Sequence, residues 1–500
     1  MPDRRWRWPL LLTLVVLVLT SCVPGTAPTP PPTAGPTTVP RPFTVGTTDR
    51  ITVTDPAAIV DAASATVAYN VFQRLMTTDP GAQAPKPDAA RECRFASPTR
   101  YICTLREGLS FHNGHPLTSS DVKFSIERAL RLNVKGSSVS MLASLRRIET
   151  PDEQTVEFVL SRPDTQFGFG LAGPAASILD EEVYDPDTIR PPGSSMIGSG
   201  PFQVSFFSDE ELQLARNPSY KGPSPGGVAG LVLRVYPDSA ELETAMQEHA
   251  VDVVWRGLST PAITRLSNQI SGNENQRTDL GYSQLLLPGA RVRELWWNPD
   301  SKHDDDKEMR TAVAAALQEY RVLTSLVPPE FPGHVASFKV GAGAEADITW
   351  KQRVHLTLAY DPTAPDAADQ ANQIRARLED SGGWSVRLVK ATPVESSDAD
   401  LLLVDFTPWT ATPMAWLQPY LDQAVQEDEV DKATAVVRRT GDPAKAQPAV
   451  AKLQKLAAED LVALPIIQTS ESVFVADGWV ADPNAFGPAR QLGLWGFRTA

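Results

Sequence analysis

The sequence predicts an α/β chain built in two or three lobes, and three observations carry that expectation. From Phe43 to Ala500 the composition is globular throughout, a length beyond what one hydrophobic core ordinarily serves. Within this body, Val354-His-Leu-Thr-Leu-Ala-Tyr360 reads as a strand, Ala367 to Leu378 as an amphipathic helix, and Trp384-Ser-Val-Arg-Leu-Val389 as a second strand. Leu401 to Val404 then reads as a buried strand ending at Asp405, and such strand-helix-strand alternation is the mark of a mostly parallel sheet.

Taken in order, the first element is a leader. Arg4, Arg5 and Arg7 precede the apolar run Leu10 to Leu19, interrupted at Thr13, and Leu19-Thr-Ser-Cys22 puts small residues before a cysteine. Residues 1–21 therefore read as a secretory signal, too short in its apolar part for a spanning helix of ~20 residues, although an uncleaved anchor is the alternative. The ending resembles a bacterial lipobox, which implies acylation of Cys22 and a protein held by lipid on the outer face of the cytoplasmic membrane. Residues 22–42, with PTPPPTAGPTTVPRP at their centre, cannot bury a core and read as a semi-rigid tether.

The chain carries a formal charge of -14, and removing residues 1–21 with three Arg and one Asp leaves -16. Such a balance favours solubility, and no basic stripe interleaved with aromatics is present, so a nucleic-acid partner is not expected. Of three cysteines, Cys93 and Cys103 lie five residues either side of Pro98 in RECRFASPTRYICTLR. Ser97-Pro-Thr99 is a turn signal with alternating flanks, so a hairpin centred on Pro98 sets the two cysteines opposite each other. Facing Cα atoms in a non-hydrogen-bonded antiparallel pair are about 4.5 Å apart, within reach of a disulfide in an oxidising compartment. Two free thiols in a strand core is the other reading.

The following stretch, YICTLREGLSFHNGHPLTSSDVKFSIERAL, reads as strand, turn, loop and capped helix. Thr118-Ser-Ser-Asp121 has capping-box form, and Val122, Ile126, Ala129 and Leu130 recur at helical spacing. As a whole it resembles the signature of the peptide/nickel class of solute-binding proteins of ABC transporters (extracellular solute-binding family 5). The resemblance extends over nearly the whole body. Ile51 to Gly81 is similar to that family's opening strand, Asp-Pro element and first helix. Ile197-Gly-Ser-Gly-Pro-Phe202, Leu214 to Gly222, Ala250 to Val254, Leu295-Trp-Trp-Asn298, Met309 to Leu317 and Leu453 to Ile467 follow in the family's order. In the glycine-proline turn, glycine is expected to supply positive φ and Pro201 to set the exit.

The resemblance implies a two-lobed, periplasmic-binding-protein-like (type II, venus-flytrap) α/β fold with an extra subdomain in the first lobe. Domain I would be 43–283 plus 468–500, with 65–190 as the extra subdomain, and domain II 284–467. It implies capture of a small solute, a peptide or peptide-like compound, by a monomer that delivers it to ABC permease subunits. A scaffold or regulator of the envelope, binding glycolipid or a protein partner, is the alternative. Ligand-binding candidates are Asp61, Ser64, Trp296, Trp297, Asn298, Asp405, Phe406, Trp409 and Thr412. Peptide-binding members hold the ligand's amino terminus with an aspartate after the strand equivalent to Leu401–Val404. Here Trp409 and Thr412 stand in those positions, and Asp405 substitutes only if the loop is rearranged; Trp296, Trp297, Phe406 and Trp409 read either as an apolar or stacking cleft or as core at the strand ends.

Other chemistries find little footing. Six histidines fall in no HExxH, Gly-x-Ser-x-Gly or Cys-His arrangement, and no phosphate loop or dinucleotide fingerprint occurs. His112 and His115 share a Gly- and Pro-bearing loop without a third ligand nearby, and Asp304 to Asp306 read as the acidic approach to a helix rather than a calcium loop. No metal, cofactor or catalytic role is expected.

Overall fold

Two long strands organise the structure, a computed structural model that describes residues 41–500 except 80, 81, 83, 225, 226, 304, 343–352, 363, 365, 392–397, 411 and 488, with backbone alone at 288–290. The leader, Cys22 and the tether up to residue 40 lie outside the described residues, and Pro42–Ala500 forms one unit. Tyr282–Trp297 and Ala463–Ala476 run antiparallel through the centre of a ten-stranded sheet. On one side Phe43–Thr47 lies parallel between Gly230–Val235 and Val253–Trp255, and Glu211–Arg216 and Phe202–Phe207 complete the edge. On the other, Val354–Tyr360 lies parallel between Trp384–Lys390 and Leu401–Phe406. The alternation seen in the sequence thus builds one wing of the sheet, with the helix Ala367–Asp380 between its first two strands.

The two central strands lose register midway. Leu287 faces Glu471 and Arg291 faces Thr469, so Pro288, Gly289 and Ala290 stand opposite Ser470 alone. Proline cannot donate to a ladder and glycine packs nothing, so this is where a bulge and extra twist are least costly. It falls between the sheet's two wings.

Separate cores cover those wings. Leu295, Trp297, Leu358 and Leu403 pack with Trp416, Leu453 and Ala457 on one, while Val45, Val71, Phe72, Trp255 and Val473 pack with Leu494 and Phe497 on the other. Each fully buried large side chain contributes about 1.5–3 kcal/mol of burial. A third core, including Tyr101, Leu105, Val122, Ile126 and Phe158, lies between the helix Ser119–Leu132 and a four-stranded sheet of Ala90–Ser97, Arg100–Leu105, Thr155–Leu160 and Leu145–Asp152. Thr118 and Asp121 cap that helix reciprocally, the Asp121 carboxylate accepting the Thr118 amide at 2.8 Å.

Two sequence expectations need correction. The opening strand is Phe43–Thr47, not the stretch beginning at Ile51, because the Thr52 and Val53 amides donate to Ser64 Oγ at 3.1 Å each instead of joining the sheet. Glycines 198 and 200 do not have positive φ. They are needed for close approach: a Cβ at Gly198 would lie 2.2 Å from the Val71 carbonyl oxygen, and one at Gly200 2.7 Å from it.

In the hairpin, Cys93 pairs with Cys103 at a Cα separation of 4.1 Å and the disulfide is formed. Ser97 faces Arg100, so Pro98 and Thr99 make the turn. Because the enclosed loop is short, chain entropy limits the bond's contribution to roughly 2–3 kcal/mol. Peptide mapping of the unreduced protein is expected to yield a Cys93–Cys103 linked species, and alkylation of both thiols without reductant would refute it.

Candidate ligand cleft

In open α/β sheets, ligands settle outside the carboxyl ends of parallel strands. On the first wing those ends are Thr48-Asp49, after Phe43–Thr47, and Arg256-Gly257, after Val253–Trp255. Arg256 and Gly257 have φ of 59° and 97°, and a Cβ at Gly257 would meet Thr48 Oγ1 at 2.3 Å, so only glycine lets the two strand exits close on each other. The Arg256 guanidinium lies 5.1 Å from the Trp255 ring and donates to Asp49 at 3.1 Å and to Glu471. Burial opposes its charge, but Glu471 and Asp49 outweigh the burial and raise its pKa.

Across the register break lies a second charged group. Arg293 holds Asp405 in a fork, Nε at 2.5 Å and the terminal nitrogen at 2.8 Å, and Arg291 approaches the same carboxylate at 3.6 Å. Beside it, Glu294 is fully buried. Its Oε2 accepts the Trp296 indole N–H at 2.6 Å, its Oε1 has no partner, and burial pushes its pKa up to about 8. A cavity of about 30 Å³ opens beside the first group and reaches Arg291, bordered by Asp49, Arg256, Gly257, Arg291, Glu471 and Ser472. Two polar atoms of these residues are buried without a partner, Arg291 Nε and Glu471 Oε2. A wider depression of about 740 Å³ along Thr260–Gln269 is open to solvent and shares none of these residues.

The residues singled out from sequence divide into several places. Asp405, Phe406 and Trp296 come together on the second wing, Phe406 contacting Trp296 and Trp416 edge-on at centroid distances of 5.8 and 5.9 Å. The strand extends through Phe406, so Asp405 faces Arg293 within the ladder and is held there by the fork. Trp409, in the loop that follows, reaches away from its own wing: its indole donates to the Gly136 carbonyl at 3.3 Å and packs against the core of the first wing. The Thr165 amide likewise donates to the Arg438 carbonyl at 2.9 Å, and Thr260 bonds Asp366, so several contacts join the two sides.

The remaining candidates serve local structure. Thr412 caps the short helix Pro413–Trp416, and Trp297 is buried in the core of the second wing. Asn298 donates to the Ala399 carbonyl at 2.7 Å. Asp61 caps the helix Ala62–Val71, and Ser64 holds the Thr52 and Val53 amides. His112 and His115 brace their loop, on the Gly198 and Gly200 backbone and on Asp180 at 2.8 Å. Among the described residues no group of three His, Cys, Asp or Glu is placed to hold a metal ion. Asp49, Arg256, Arg291, Arg293 and Glu471 escaped the sequence reading. The available signal was Pro288-Gly289 inside a strand pattern, followed at once by Arg291-Val-Arg293.

Solved structures share this architecture. The PBP AgaA from A. tumefaciens R10 in complex with agropinic acid superposes with a TM-score of 0.77 at 19% identity, over 92% of this chain and 98% of that one. A dipeptide binding protein from Pseudoalteromonas sp. SM9913 in complex with Met-Leu gives 0.77 at 16% identity, over 92% and 100%. The fold is the two-lobed type II binding-protein fold with an added subdomain. The sequence profile of the bacterial extracellular solute-binding proteins, family 5 (middle region), matches residues 84–428, and the chain belongs to that family. Among its relatives is the probable D,D-dipeptide-binding periplasmic protein DdpA of Escherichia coli (strain K12), 23% identical over 454 residues, which are 83% of this chain and 86% of that protein. Among the described residues no helix is long and apolar enough to cross a membrane.

Proposed function

We propose that this protein captures a peptide-like solute between its lobes and hands it to an ABC permease, acting as a receptor and not as an enzyme. The lobes are 43–283 with 468–500, carrying the subdomain 65–190, and 284–467. Three separate cores support three units, with the helix residues Val67 and Val71, together with Phe72 and Leu287, packing in the first lobe's core instead of in the subdomain or the second lobe. The observation that carries the reading is the charged cavity at the register break, where Arg291 Nε and Glu471 Oε2 are buried and unpartnered. An unmade hydrogen bond of a buried group costs about 1–3 kcal/mol, and a bound solute that supplies the partner recovers it. A solute touching both wings also favours their approach, which is how a permease distinguishes loaded from empty receptor. These buried groups favour solute capture over the scaffold reading.

A lipid on Cys22 would keep the monomeric receptor on the outer face of the cytoplasmic membrane, with residues 22–42 as spacer. Uptake of a radiolabelled dipeptide by cells lacking this chain is expected to fall and to recover on complementation, whereas unchanged uptake would contradict the assignment. A fatty-acid probe should label the protein and fail to label Cys22→Ala, and undiminished labelling of that variant would remove the anchor from the account.

A further inference from the structure

We propose that the added subdomain is a latch, gripping the second lobe through two of its loops and so setting how long the lobes stay together. This goes beyond solute capture, because it concerns the joined arrangement whatever the solute. The first loop is Asp164-Thr165, which follows the strand Thr155–Leu160 and meets the end of the helix Glu427–Arg439. The last carbonyls of a helix have no partner within it. Thr440 ends this helix in an extended conformation, φ -111°, instead of the left-handed turn by which a chain caps itself. The caps come from across the boundary. The Thr165 amide donates to the Arg438 carbonyl at 2.9 Å, and its hydroxyl donates to the Thr440 carbonyl at 3.1 Å. Burial pulls the Arg438 pKa down, and Asp164, itself 4% exposed, pushes it back up.

The second loop is Lys135-Gly136, just beyond the helix Ser119–Leu132. Its Gly136 carbonyl accepts the Trp409 indole N–H at 3.3 Å. Burial pushes the Asp422 pKa up, while a hydrogen bond from Gln418 and the charge of Lys135 lower it, so opposite charges also meet here. Both loops hang from one core, in which Val122 and Ile126 of the helix pack with Val156 and Phe158 of the strand. A motion that frees Thr165 therefore frees Trp409 as well, and the two contacts make and break together. When the lobes part, the freed groups turn to water, so each hydrogen bond shifts the balance only by a factor of roughly five. Coupled contacts multiply such factors. The result is a reversible latch, strong enough to slow opening and too weak to forbid it.

Hydrogen exchange at the Thr165 amide, read by fragmentation mass spectrometry of the purified protein without added peptide, tests the latch. Exchange at that amide requires the two sides to part. Trp409→Phe keeps a ring and loses the N–H. It is expected to speed exchange at Thr165 roughly fivefold and to leave the amides of Thr155–Leu160 unchanged. Those strand amides, with a thermal melt, check that the variant folds. Unchanged exchange at Thr165 would show that the two contacts open separately and would overturn the proposal. In stopped-flow displacement, Thr165→Ala is expected to release Ala-Leu and Ala-Glu faster by one common factor. An unchanged rate, or factors that differ between the two peptides, would count against a latch, the second by placing Thr165 against the solute. If neither peptide binds, solute capture falls and the exchange result alone decides the latch.

Discussion

Replacing Arg128 by methionine is expected to lower the unfolding free energy by about 3–5 kcal/mol, the range for leaving one member of a buried ion pair alone. Arg128 comes from the helix Ser119–Leu132, and its guanidinium meets Asp55 at 2.9 and 2.5 Å with both side chains at 0% exposure. The same guanidinium donates to the carbonyls of Asp185 and Thr188 at 2.6 Å, and Asp55 also accepts the amides of Ala57 and Arg190. One ion pair thus ties the added subdomain's helix to the loop 185–190 and to the start of the first lobe. Removing the cation strands the carboxylate in a fully buried site. The double variant Asp55→Ala with Arg128→Met should recover part of the loss, since no lone charge remains. Denaturant titrations measure both, and a loss under about 1 kcal/mol in the single variant would show that the pair is dispensable.

The second large effect is a pH dependence centred on Glu294. Its native carboxyl titrates near about 8 against an ordinary 4.5, because burial disfavours the charged form. Between those values the native state holds a proton that the unfolded chain has released. The stabilising contribution is therefore complete below about 4.5 and lost as pH rises through about 8. Glu294→Gln keeps an acceptor for Trp296 and cannot ionise. Its stability relative to the parent should rise by about 2–4 kcal/mol between pH 5 and 9 and be flat outside that window. Parallel stability curves for the two proteins would show that Glu294 ionises freely.

Much of the frame was legible because local chemistry decides it. Thr118 and Asp121 cap their helix through side chains that need no distant partner, and the Cys93–Cys103 pairing follows from the turn that Pro98 enforces. The strands at Val354–Tyr360 and Trp384–Lys390 carry their pattern within themselves. Other features depend on neighbours far along the chain. Gly198 is glycine because the Val71 backbone crosses it, and the Ile51 stretch fails to join the sheet because Ser64 takes its amides.

The candidate site belongs to that second kind. Glu471, in QTSESVFVA, looks like an outward residue on a half-buried strand, and only the register break opposite Pro288 to Ala290 places it beside Arg256 and Arg291. The departure at Trp409 and Thr412 was visible in the sequence. What Trp409 does instead, reaching the Gly136 carbonyl, depends on a segment some 270 residues earlier, the separation being 273 positions.

The central claim is that a peptide-like solute occupies the cleft. Native mass spectrometry of the purified chain incubated with a pool of dipeptides and tripeptides tests it most directly. A one-to-one adduct that saturates with peptide and is displaced by a second peptide is the predicted result. A spectrum that shows only the free protein at every peptide concentration would contradict it.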